Sequence, residues 1–309
     1  MSQLLDIIIQ AFYTGAEWAL IATGFGFIAR TTNIFHLALG GIYAIGAYGC
    51  YYFTVQLGMP LFIGAIIGVL LAGVGGALID LAVYQPVTGL YGKRQVDRLS
   101  PFIASLGVLI VLQNCIQLWF GSIPLFIESP DWGVATIGTS RILVWNLVKI
   151  LISFCSVAAF ALWLVKTRTG ASALALGQSP EGASVVGISE RAVRLQIFFA
   201  TGLFAGLAGV LAIMTHPTLP HDGLAIVIYG ALIAMMLPKA NVLVWWLIAV
   251  AAAFVYAATI TTIGGGWHDV VLQTVLMSAV VILRIIMPAM QRRRIIREAS
   301  LLEATKNNR

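Results

Sequence analysis

Residues 166–194 read KTRTGASALALGQSPEGASVVGISERAVR, a polar interval of nearly thirty residues set inside a chain built of apolar segments. In so apolar a chain this interval is expected to lie in water. Its excess of Lys166, Arg168, Arg191 and Arg194 assigns that water to the cytoplasmic side. Ala171 to Gln178 is rich in helix formers, Ser179-Pro180 breaks the run, and Glu181 to Val186 begins a second short helix with an acid near its positive end. Connections in compact domains are commonly about 4–6 residues long. Two readings follow: a loop that joins two spans, or a helical surface on which a soluble partner docks.

The composition agrees with a membrane setting. Hydrophobic residues make up 60% of the 309 and charged residues 10%, with a mean hydropathy of +0.96. A span needs about 20 apolar residues, so the chain is read as an all-α polytopic membrane protein of about 8–10 transmembrane helices. Residues 1–290 form the membrane domain and 291–309 a basic cytoplasmic tail. The net charge of +6 does not point to nucleic acid, because the basic residues sit between spans and in that tail, where they set topology. Cys50, Cys115 and Cys155 fall in apolar segments with no metal-type spacing, and are expected to be free thiols packed as small hydrophobes. Met1-Ser-Gln-Leu-Leu-Asp6 lacks a basic stretch before the first apolar run, so that run is expected to be retained as a span.

Apolar segments run at about 7–29, 34–54, 60–84, 101–121, 142–165, 194–216, 223–238, 242–262 and 269–288. The seventh is short enough to be half of a broken or re-entrant helix. Three basic clusters orient the set: Lys93, Arg94 and Arg98; the 166–194 interval; and Arg284 with Arg292, Arg293, Arg294, Arg297, Lys306 and Arg309. Alternation from these anchors places 16 of the 18 basic residues in the cytoplasm, with Arg141 and Lys149 outside. The N-terminus is then extracytoplasmic and the C-terminus cytoplasmic. The outward loop Ser122–Arg141, with Glu128, Asp131 and Trp132, reads either as an interfacial cap or as a dock for a delivery protein.

Glycines spaced as Gly64/Gly68 and Gly202/Gly206 suit close helix packing. Polar groups at membrane depth need a partner or a wet cavity. Gln113 and Gln117 share one helix face with Ser105 and Asn114 nearby, His36 and Tyr43 are seven residues apart, and Glu17 lies mid-way along the first segment. These seven residues either line a solute pathway or bond helix to helix. Glu17 is nearly alone as an intramembrane acid, which argues against an ion-coupled pump. No G-x-x-x-x-G-K-[ST] phosphate loop, H-E-x-x-H helix or G-x-S-x-G elbow occurs. No catalytic residue or metal site is therefore assigned, and any ATP hydrolysis belongs to other chains.

Motifs along nearly the whole chain resemble the membrane permeases of branched-chain amino-acid type ABC importers. They are Tyr43-Ala-Ile-Gly-Ala-Tyr48, Tyr84-Gln-Pro-Val87, the run from Ser100-Pro-Phe to Gln-Asn114, and Thr167-Arg-Thr-Gly170. Ala183-Ser-Val-Val-Gly-Ile188, the glycine-rich run Phe199 to Val210, and Asp269-Val-Val271 with a proline at 288 complete the set.

The resemblance implies an ABC importer permease fold in the bacterial inner membrane. It implies a second related permease, two cytoplasmic ATPases that carry ATP and Mg, and a periplasmic binding protein, with no cofactor on this chain. The family's coupling loop falls on 167–193, with Gly170, Glu181, Gly182, Ala183 and Gly187 as docking residues. The expected cargo is a small polar solute, a branched-chain amino acid or a related amino acid or amide. Two departures widen that choice. His36-Leu-Ala-Leu-Gly40 replaces the family's Asn-Phe-Ala-His-Gly, and Met235 to Trp245 replaces a glycine-rich run. The alternative is a passive channel for a neutral solute such as urea, and a helical scaffold is a further rival.

Overall fold

The computed structural model describes residues 2–90, 99–137, 140–263, 267 and 269–283. The Lys93/Arg94/Arg98 cluster, Arg284, Pro288 and the basic tail lie outside those residues. The described helices are α1 (Ser2–Thr32), α2 (Leu39–Tyr51), α3 (Leu61–Ile79), α4 (Gln85–Leu90), α5 (Leu99–Phe120), α6 (Val144–Lys166), α7 (Arg168–Gln178), α8 (Pro180–Val185), α9 (Glu190–Ile213), α10 (Asp222–Met236) and α11 (Val242–Ile263). A further apolar helix, α12, spans Asp269–Leu283. Short π-helical turns, Tyr52–Gln56 and Asp80–Tyr84, extend α2 and α3. The fold is all-α and polytopic, as expected. Among the described residues, six of the nine anticipated crossings are long and apolar enough to span by themselves, whereas α2, α10 and the described part of α12 are shorter.

Close approaches fix the helix directions. Glu17 and Phe27 of α1 meet Lys149 and Phe160 of α6, so those two run parallel. Gly24 meets Thr201 while Glu17 meets His216, so α1 and α9 run antiparallel. Gly26 lies against Trp245 and Gly15 against Val250, which makes α11 antiparallel to α1 as well. Gly230 meets Ile21 and Gly26 meets Ala234, so α10 is parallel to α1. The ends carrying Arg30, Lys166, Arg168, Arg191 and Lys239 therefore share one face of the bundle, and α7 and α8 lie on it. Arg30 confirms part of this by donating to the Ala240 carbonyl at 3.4 Å.

The core is α9, buried around most of its circumference, with α1, α2 and α3 against it. Small residues make this possible, because backbones can approach only where no side chain intervenes. A Cβ on Gly40, at the start of α2, would lie 2.6 Å from the carbonyl oxygen of Gly223 at the start of α10. These two short helices thus begin against each other inside the bundle. Gly209 faces the Tyr43 carbonyl with no room for a methyl group, whereas nothing lies within 4 Å of a Cβ on Gly107 of α5. Gly209→Ala is accordingly expected to cost about 1–3 kcal/mol through overpacking. Gly107→Ala should gain about 0.5–1 kcal/mol through helix propensity. Thermal unfolding in detergent distinguishes the two, and equal midpoints would refute the packing argument.

One feature was not anticipated and two expectations are corrected here. The segment between α5 and α6 holds a two-stranded hairpin, β1 (Val134–Ile137) and β2 (Ser140–Leu143), paired antiparallel with Val134 opposite Leu143. Cys50 is buried, but Cys115 and Cys155 lie exposed on the outside of the bundle. Arg194, assigned to water in the polar interval, is instead a buried residue in the first turns of α9. The interval otherwise folds as expected. Thr167, Ser179 and Ser189 cap α7, α8 and α9 by accepting from Gly170 N, Gly182 N and Ala192 N. Pro180 suits the first turn of α8, where its missing N–H costs nothing. Gly187 takes φ +81°, a conformation side chains disfavour, and lets the chain turn into α9.

Candidate functional site

Glu17 sits at the centre of a polar cluster rather than alone. Its carboxylate accepts from Lys149 Nζ of α6 at 3.0 Å and from the Tyr43 hydroxyl of α2 at 3.3 Å. The His216 ring lies 3.6 Å away. Lys149 also donates to Thr215 Oγ1 at 3.4 Å. Both members of the ion pair are almost fully buried. A charge at that depth is tolerable only with a partner and further hydrogen bonds, and here both are supplied.

The cluster lies in the wall of a cavity of about 650 Å³ between α1, α6, α10 and α11. It lies toward the face opposite α7 and α8, since its wall includes Phe126, Ser129 and Leu143 of the segment between α5 and α6. Glu17, Lys149, His216, Asp222 and Asp269 bring charges of both signs to it, and Trp18, Ile226 and Tyr256 supply an apolar side. Ligand cavities commonly have about 300–1,000 Å³. The residues around His216 are held by a short strand pairing, in which Leu125 N donates to the Thr218 carbonyl at 3.0 Å and Thr218 N to that of Leu125 at 2.8 Å. Tyr48 donates to the same Thr218 carbonyl at 3.0 Å. Tyr229 donates to Asp269 at 2.8 Å and packs against Trp18.

His216 lies in the segment between α9 and α10. Burial by itself lowers the pKa of its imidazole, and Lys149 opposes protonation too. The hydrogen bond and negative charge of Glu17 outweigh both, so the pKa stands above its ordinary value of 6.5. With the folded value raised, the His216–Glu17 contact stabilises fully below the unfolded pKa and is lost as pH rises through the folded one. Thermal stability is therefore expected to fall as pH rises above the ordinary imidazole value of 6.5 and through the raised folded one. His216→Gln should flatten that part of the profile, and an unchanged slope would remove His216 as its source.

The other anticipated pathway residues are not in this cavity. His36 precedes α2 and does not share a helix face with Tyr43. Its Nδ1 meets the Tyr84 hydroxyl at 2.6 Å. Ser105 Oγ accepts from Leu37 N at 2.6 Å and Ala38 N at 3.3 Å, capping the start of α2 from α5. Gln113 donates to the His221 carbonyl at 3.4 Å, and Gln117 Oε1 lies 2.8 Å from His221 Nε2. Asn114 bonds its own helix at the Ile110 carbonyl, on the exposed side. Apart from Asn114, these groups bond helix to helix around the entrances of α2 and α10, while Glu17 lines the cavity and the buried Tyr43 reaches it only through its hydrogen bond to the Glu17 carboxylate. Lys149, His216, Asp222 and Asp269 were not anticipated as site residues. Lys149 did carry a signal, as one of the two basic residues that alternation left outside.

A second buried cluster lies toward the α7–α8 face. Arg194 donates to Asp80 at 2.7 Å, Gln85 donates to the same carboxylate at 2.9 Å, and Glu190 stands 4.0 Å from Arg194. Asp80 opens the π-helical turn that leads to Tyr84 and hence to His36. Of the anticipated docking residues, Glu181, Gly182 and Gly187 are exposed and Ala183 is buried. Gly170 packs against the Trp163 and Leu164 backbone of α6. Val185 and Val186 project from α8 at 85% and 72% exposure.

The family model described as "Branched-chain amino acid transport system / permease component" matches residues 7–285. The high-affinity branched-chain amino acid transport system permease protein LivH of Salmonella typhimurium is 28% identical over 218 residues, covering 64% of this chain and 66% of LivH. BraD of Pseudomonas aeruginosa, of the same description, is 24% identical over 69% of this chain and 71% of its own. The galactose/methyl galactoside import permease protein MglC of Haemophilus influenzae is 29% identical over 36% of this chain and 34% of its own. The chain thus aligns with slightly less than two thirds of the length of the LivH relatives. No solved structure matches.

Proposed function

We propose, from the premise that this chain belongs to the branched-chain amino acid transport permease family, that it is a membrane-spanning subunit of an ATP-driven importer. It carries a small polar solute, a branched-chain amino acid in the first instance, from the charged cavity toward the face that bears α7 and α8. That face is cytoplasmic in this reading, the membrane is the bacterial inner membrane, and the basic tail lies inside. The observation that carries the reading is the opposition of two features. A cavity with charges of both signs beside an apolar wall lies toward one face, and a capped helical pair with exposed valines lies on the other. A zwitterion with an aliphatic side chain matches that lining better than a sugar or urea does.

Energy enters through partners: two ATPases holding ATP and Mg dock on α7 and α8, a second permease completes the pathway, and a binding protein delivers the solute. Coupling requires ATP to favour one conformation over the other through this contact. Gly182→Trp with Ala183→Trp is expected to abolish ATP-driven leucine uptake by the assembled complex in liposomes, along with substrate stimulation of its ATPase. Persistence of both would show that α7–α8 is not the coupling element. Energy-independent flux through this chain alone would favour the passive channel.

A further inference from the structure

We propose that the crevice between α3, α6 and α9, at the face that carries α7, is a binding site for an anionic phospholipid. The crevice holds about 430 Å³ and is lined by Ala77, Trp163, Leu195 and Phe199, with Thr169 and Gln196 at its polar end. Exposed Leu78, Leu81, Leu162 and Val165 flank it, which puts its mouth on the belt that meets acyl chains. Trp163 is stacked on Phe160 at 5.4 Å and 14°, so one wall is a fixed aromatic plate.

Charge selects the occupant. Arg191 lies one turn before Leu195 on α9, and Lys166 lies three residues after Trp163 on α6. Residues so spaced share a helix face. Arg168 adjoins Thr169, and all three cations are exposed. Arg194, the remaining cation of the 166–194 interval, is turned inward onto Asp80. Three exposed basic residues thus lie next to, or one turn from, residues that line an apolar slot, a placement that suits a phosphodiester headgroup while an acyl chain fills the slot. Guanidinium groups suit the phosphate because they present paired donors. The inference needs only that the chain sits in a bilayer, and it does not depend on what is transported.

The test uses the full chain in phosphatidylcholine vesicles containing brominated phosphatidylglycerol or brominated phosphatidylcholine. Quenching of Trp163 is read as the difference between wild type and Trp163→Phe. A preference for the anionic lipid on the order of tenfold is expected at low salt, from three basic groups near the headgroup. It should fade at about 0.5 M salt, where such charges are screened. The combined Lys166→Gln, Arg168→Gln and Arg191→Gln variant should lose the preference while quenching by the neutral lipid persists. If that variant fails to fold, the wild-type salt dependence and Arg168→Gln alone, expected to weaken the preference about twofold, decide the matter. Equal quenching by both lipids overturns the proposal. Absence of Trp163 quenching by either also overturns it, since the crevice would then be filled by protein.

Discussion

Lys149→Ala is expected to destabilise the protein by about 3–5 kcal/mol, because it strands the Glu17 carboxylate at a depth where water cannot replace the lost ammonium group. The pair is linked at 3.0 Å and both side chains are no more than 4% exposed. The size of the loss comes from the buried charge left behind, so removing both charges should restore most of it. Glu17→Gln with Lys149→Met is expected to lie within about 1 kcal/mol of wild type, as replaced buried pairs often do. Thermal unfolding in one detergent of wild type, Glu17→Gln, Lys149→Met and the double variant completes the cycle. Additive losses in the double variant would mean that the two groups do not act as a pair. Uptake separates stability from function: the double variant should fold yet fail to import, since the cavity has lost one charge of each sign.

Asp80→Ala is the second large effect, again about 3–5 kcal/mol. Here the stranded group is the Arg194 guanidinium, whose side chain is 9% exposed and which loses its 2.7 Å contact. Glu190 at 4.0 Å is half exposed and compensates little. The ion pair ties the first turns of α9, just after α7 and α8, to the π-helical turn of α3. Asp80→Asn, which retains hydrogen bonding, should recover part of the stability. In the assembled complex it is still expected to blunt the ATPase response to substrate, because the contact between α9 and α3 is loosened. A full ATPase response in Asp80→Asn would show that this contact does not transmit motion.

Much of the architecture was legible in the chain. Long apolar runs become helices at membrane depth because every backbone N–H and C=O must be satisfied internally there, so their number and approximate limits follow from composition. The breaks at Ser179-Pro180 and Gly187 follow from cap chemistry and from positive φ, both local. The shortness of α10 was visible in its length. The hairpin at 134–143 escaped notice because strands this short carry a weak periodic signal beside nine strong helical ones.

The site was read less well, and the reason is distance along the chain. Glu17 and Lys149 are 132 residues apart and Asp80 and Arg194 are 114 apart. A lone acid in an apolar segment declares that it needs a partner without saying which one. That this is a helical membrane protein, which segments form apolar helices and where a capped helical pair interrupts them can be read along the chain, since those outcomes depend on local hydrophobicity and backbone hydrogen bonding. Tertiary structure alone decided which buried charges meet. It also decided that Gln113 and Gln117 serve the joints of α10 while Glu17 faces a cavity. Those outcomes depend on how glycine-lined helices approach, and close packing of distant segments is not encoded in any one of them.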